Sequence, residues 1–78
     1  MSKGDSGLGG EQVEGRRAVI ELLRAGKRRV RTVYMSNAAV DDEIAERAGG
    51  ALKLVAPERV EQLAKSDVHQ GVVALAAP

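Results

Sequence analysis

The stretch that decides the fold is QVEGRRAVIELLRAGKRRVRTVYM, Gln12 to Met35. Gln12-Val13-Glu14 is a short extended piece that leads into Gly15. Val19, Leu22 and Leu23 then fall at helical spacing, with Ala18 and Ile20 widening the stripe, which predicts a helix over 16–25 with one apolar face. Gly26 follows the last periodic residue and offers the left-handed conformation that helix ends favour. From Val30 to Met35 the pattern changes: β-branched residues dominate and the run has an ordinary strand length. Strand, helix and strand in so short a span point to an α/β fold.

The same alternation continues downstream. Ser36 and Asn37 are good cap residues for a second helix, expected over 38–48. Asp41, Asp42 and Glu43 fall in its early turns, where the helix dipole favours negative charge, and Val40, Ile44 and Ala48 supply its buried stripe. Gly49-Gly50 ends it, and Ala51 to Val55 reads as a strand. Pro57 suits the first turn of a third helix, whose inner face is Val60, Leu63 and Ala64. Lys65-Ser66-Asp67 reads as a loop. Val72-Val73-Ala74-Leu75 is an unbroken apolar run between Gly71 and Pro78, the pattern of a strand covered on both faces. The predicted order is therefore β-α-β-α-β-α-β, a small sheet sandwiched between helices. Residues 1–11, rich in Gly and Ser, are expected to be a disordered lead-in or an expression remnant, with one domain over 12–78. Because it stops directly after a buried strand, the chain is expected to be one part of a longer protein.

Composition narrows the function. Seventy-eight residues allow one small domain with a thin core. There are no cysteines, which removes disulfides, thiolate metal sites and cysteine nucleophiles and suits a cytoplasmic home. A single His is too few for most metal sites. No apolar run approaches the roughly 18 residues of a membrane span, so no membrane partner is expected. Tyr34, the one aromatic, excludes a multi-ring base-stacking platform. The glycines of residues 1–10 lack the preceding strand and the Lys-Ser/Thr pair of a phosphate loop. The net charge is only +1, yet residues 16–31 hold seven of the twelve basic residues against Glu21 alone. That asymmetry suggests a polyanion partner.

Three pieces stand out together: Val13-Glu14-Gly15-Arg16-Arg17-Ala18-Val19 through Leu23, the strand Val30 to Met35, and Val68-His69-Gln70-Gly71-Val72-Val73-Ala74. In this order they resemble the N-terminal substrate-binding domain of the SpoU (TrmH) family of RNA 2'-O-ribose methyltransferases. That family opens the domain with a hydrophobic residue, one variable position, then Gly-Arg-(His/Asn/Arg)-Ala/Pro-Val and a Leu-rich helix. It closes the domain with His-Gln-Gly, β-branched residues and Ala. The resemblance covers about residues 12–76. It implies the fold of kink-turn-binding ribosomal proteins: a three-layer α/β/α sandwich around a small mixed four-stranded sheet whose last strand is antiparallel. It also implies a bacterial RNA-binding module, with ribosomal RNA a better candidate than transfer RNA. S-adenosylmethionine and the chemistry would belong to a knotted catalytic domain absent here, leaving this chain without cofactor or catalysis. This chain would be a monomer and the full-length protein a homodimer through that missing domain. Two other functions compete: a free-standing ribosomal-type RNA-binding protein, and a protein-interaction module docking through Asp41, Asp42, Glu43 and Glu46.

The site residues have competing readings. Arg16 and Arg17 begin the first helix, where cations oppose the dipole, so their forked donors suit phosphate; the alternative is an exposed pair or a salt bridge to Glu14. Lys27, Arg28, Arg29 and Arg31 are possible secondary RNA contacts, although capping and solvation explain them adequately. His69 is open between an RNA contact and a buried hydrogen-bonding corner, with catalysis and metal binding much weaker. Gln70 could read an unpaired base edge, and Gly71 supplies a backbone shape only Gly adopts easily. Ser36 and Asn37 are first helix caps and second RNA contacts. Chain direction puts Arg16, Arg17, Ser36 and Asn37 at one sheet edge and Lys27 to Arg29 at the other. His69 joins the first group only if the last strand is antiparallel, which the pattern leaves open and the resemblance implies.

Overall fold

The computed structural model describes residues 11–65 and 69–77. The expected lead-in over residues 1–10, together with Ser66, Asp67, Val68 and Pro78, lies outside the described residues. The elements are β1 (Glu11–Glu14), α1 (Arg16–Ala25), β2 (Val30–Ser36), α2 (Asp42–Ala48), a short 3-10 turn (Gly49–Ala51), β3 (Leu52–Val55), α3 (Pro57–Leu63) and β4 (Val72–Ala76). This is the predicted order, and Glu11 belongs to β1, one residue ahead of the expected domain start.

Glycines set both ends of α1. Gly15 precedes it at φ 97°, ψ 147°, a region that side chains with a Cβ essentially never occupy. Gly26 ends it in the left-handed conformation, its N–H donating to the Leu22 carbonyl at 3.4 Å.

The start of α2 differs from the expectation. The helix begins at Asp42, and its cap is Asp41, whose Oδ1 accepts from the Ile44 N–H at 3.1 Å. Ser36 and Asn37 do not cap it. Ser36 is instead the last residue of β2, with its N–H bonded to the Gly71 carbonyl at 2.8 Å, and Asn37 donates its N–H to Val55. Sheet bonding thus keeps Ser36 in the strand and ties Asn37 to the end of β3 as the chain turns. The turn they enter leaves Val40 46% exposed rather than in the helix stripe.

The sheet order is β1-β4-β2-β3, with β2 and β3 parallel and β4 antiparallel to both its neighbours. The sheet is therefore mixed, as the resemblance implied. Strand alternation divides its faces. Val33, Met35, Val72 and Ala74 pack with Val19 of α1 and Ile44 of α2, while Val73 belongs to the opposite face, covered by α3 and its buried Val60. The unbroken apolar run of β4 follows from its central place, with helices on both sides.

Candidate nucleic-acid interface

The antiparallel β4 brings its N-terminal turn to the edge where β1, β2 and β3 end. Backbone bonds cross this edge in a row: Gly15 N–H to the Val72 carbonyl at 3.2 Å, Ser36 N–H to Gly71 at 2.8 Å, and Asn37 N–H to Val55 at 2.8 Å. His69-Gln70-Gly71-Val72 is a tight turn closed by the Val72 N–H on the His69 carbonyl at 3.0 Å. Gln70 at φ 53° and Gly71 at φ 80° give it the two left-handed central residues of a type I′ turn. A Cβ at Gly71 would lie 3.5 Å from that of Ser36, so conformation rather than space makes Gly suitable there.

Two motifs far apart in the chain meet at this turn. The Gln70 Oε1 accepts from the Arg16 N–H at 3.0 Å, satisfying one of the donors that a helix N-terminus leaves open. That donor is consequently not free for an anion, while the Gln70 amide nitrogen stays available to meet a base. The His69 Nδ1 accepts from the Gly71 N–H at 3.0 Å, so the neutral ring carries its proton on Nε2. His69 is half-buried, combining the hydrogen-bonded corner with a ring that still reaches the surface.

The partner of Arg16 is not Glu14 but Asp41. The Arg16 Nε donates to Asp41 Oδ2 at 3.0 Å and an Nη of the same guanidinium pairs with that oxygen. Glu14 is turned elsewhere, accepting from the Gln12 amide and the Lys65 N–H at 2.7 Å each. The guanidinium beside Asp41, followed by the Ile44 N–H, holds its carboxyl below the ordinary carboxylate range. Glu43 is lowered likewise by Arg24 and Arg47, which both bond its Oε2. Two of the four carboxylates in the proposed acidic docking face are thus already engaged with cations of this chain. That leaves the interaction-module reading with Asp42 and Glu46.

Arg17 and Asn37 are exposed on the same edge, and Arg17 has no ion pair among the described residues. Lys27, Arg28 and Arg29 lie at the opposite edge. Arg28 is structural there: its Nε donates to the Ala77 carbonyl at 3.0 Å and its guanidinium pairs with Glu11, tying the ends of α1, β1 and β4 together. The Arg29 carbonyl accepts from Ala77 N–H at 2.7 Å. Arg31 sits where the β2–β4 register shifts, between Val30 and Thr32. Lys27, Arg29 and Arg31 are exposed, without ion pairs among the described residues.

Asp41 is the residue of this edge that sequence reasoning did not assign to it. It lies 25 residues from Arg16, and nothing local marks the pairing. Its signal was its competence as a helix cap, a role read instead at Ser36 and Asn37.

Among the described residues, no helix is long and apolar enough to cross a membrane and no cluster of His, Cys, Asp or Glu could hold a metal ion. No curated protein matches the chain. A family profile described as RNA 2'-O ribose methyltransferase substrate binding matches residues 12–78, which takes in every described element but the first residue of β1. The chain belongs to the family of RNA 2'-O-ribose methyltransferase substrate-binding domains.

Proposed function

We propose that this domain holds structured RNA, ribosomal rather than transfer RNA, at the edge formed by Arg16, Arg17, Ser36, Asn37, His69 and Gln70. In this reading the domain works in the cytoplasm beside a separate catalytic domain that binds S-adenosylmethionine and carries out methyl transfer. This chain contributes binding and no catalysis of its own. It is monomeric alone, and the complete enzyme dimerises through the catalytic domain. A 2'-hydroxyl carries no sequence information, so one ribose must be chosen by the shape and unpaired bases around it. A domain that grips that surrounding RNA delivers the target and reduces the entropic cost of the reaction.

The observation that carries this reading is the 3.0 Å hydrogen bond from the Arg16 N–H to the Gln70 side chain, which joins the family's two motifs at one edge. Around that contact stand cationic, amide and imidazole donors suited to phosphates and unpaired base edges. Ser36 serves from within: it is 4% exposed and its Oγ accepts from the Ala38 N–H at 3.1 Å, fixing the loop that presents Asn37. Lys27, Arg29 and Arg31, on the far edge, add long-range attraction.

Amide proton–nitrogen correlation spectra recorded with a stem-loop RNA carrying an unpaired loop test the assignment. The expected shifts concentrate at Arg16, Arg17, Asn37 and His69 to Gly71. Shifts confined to Lys27 to Arg31 would contradict it.

A further inference from the structure

We propose that Asp41 is a positioning residue for RNA binding, its carboxylate holding the Arg16 guanidinium outward as a preformed phosphate fork. The inference rests on the RNA reading above and adds to it a residue from the acidic helix. A guanidinium has five N–H donors. Nε and one Nη direct a donor each to Asp41 Oδ2, which leaves the other donors for a phosphate. Exposure shows which partner faces out: the Asp41 side chain is 10% exposed and that of Arg16 58%. Asp41 is itself anchored, through Oδ1 on the Ile44 N–H at 3.1 Å and through its own N–H on the Met35 sulfur at 3.4 Å. The backbone of Arg16 is anchored at the other end by Gln70. Both ends of a long side chain are fixed before RNA arrives, so less rotamer freedom is lost on binding.

Electrostatics alone gives the opposite expectation, which makes the idea testable by sign. A bystander carboxylate beside a polyanion repels it, and neutralising that carboxylate tightens binding. Neutralising a positioning carboxylate weakens binding. Asp41→Asn removes the charge and keeps an oxygen able to cap α2. Asp42→Asn makes the same charge change on an exposed neighbour in the first turn of α2.

The experiment is a fluorescence-anisotropy titration of the full chain with a fluorescein-labelled RNA stem-loop bearing an unpaired loop. Asp41→Asn is expected to bind about fivefold more weakly, the scale set by ordering one long side chain. Asp42→Asn is expected to bind as tightly as wild type or slightly tighter. In an Arg16→Ala background, Asp41→Asn should weaken binding no further, whereas a merely structural loss would persist there. Arg16→Lys, which keeps the charge but lacks the planar fork, should weaken binding comparably and provides the test should Asp41→Asn fail to fold. Equal or tighter binding by Asp41→Asn, undiminished weakening by it in the Arg16→Ala background, or wild-type affinity in Arg16→Lys would overturn the inference and leave the RNA reading standing. A wild-type chain that does not bind the stem-loop at low salt would overturn both.

Discussion

Asp41 serves two elements with two oxygens: Oδ1 caps α2 and Oδ2 holds Arg16 at the start of α1. Replacing it with Ala should cost about 1 kcal/mol through the lost cap, and Asp41→Asn clearly less, in urea unfolding. Equal losses would show that the cap oxygen is not what matters. Acid should also weaken this corner. Asp41 and Glu43 have folded-state pKa values below their ordinary ones, set chiefly by Arg16 and by Arg24 respectively. The stability they add is therefore complete above the ordinary carboxyl range, roughly pH 4, and is lost as pH falls through the lowered values. Melting temperature is expected to fall on acidification below that range, and to fall less in an Asp41→Asn/Glu43→Gln double variant. Parallel curves would contradict the assignment. Gly15 is the third sensitive residue, because its φ of 97° and ψ of 147° suit no Cβ-bearing side chain. Gly15→Ala should destabilise the domain by about 2 kcal/mol in the same unfolding experiment. A loss within error would mean that α1 can begin in another way.

Elements differ in how openly the sequence announces them. The limits of α1 could be read because Gly15 and Gly26 bracket one uninterrupted apolar stripe. The start of α2 could not, because Ser36, Asn37 and Asp41 are all competent caps within one short stretch. Long-range bonds decided between them, since the Ser36 and Asn37 N–H groups are bonded to Gly71 and Val55, partners distant in the chain. Both α1 and α2 lean on the same face, and Ile44 is the only fully buried residue of α2. Ile44→Ala should therefore cost about 3 kcal/mol, a large share of the stability of so small a domain. Urea midpoints measure this; a loss below about 1 kcal/mol would show that the site collapses around the shorter side chain.

At the scale of the whole molecule, charge asymmetry in the sequence overstated the free positive surface. Arg16, Arg24 and Arg28, three of the seven basic residues in 16–31, are paired with Asp41, Glu43 and Glu11. Local reading counts such cations but cannot see carboxylates that folding brings beside them. The family's two motifs were visible in the sequence, whereas their contact depended on the direction of β4, on which an unbroken apolar run is silent. Antiparallel pairing joined His69 and Gln70 to the Arg16 edge and left Lys27, Arg28 and Arg29 at the other.

The claim that RNA is gripped at the first of these edges is tested most directly by stem-loop affinity across a salt series. Wild type would be compared with Arg17→Ala/Asn37→Ala on one edge and Lys27→Ala/Arg29→Ala/Arg31→Ala on the other, leaving structural Arg28 intact. The first variant is expected to lose about tenfold or more in affinity and about one unit of salt slope at low ionic strength. A smaller loss is expected for the second despite its larger change in charge. Wild-type affinity in the first variant, with the whole loss in the second, would contradict it.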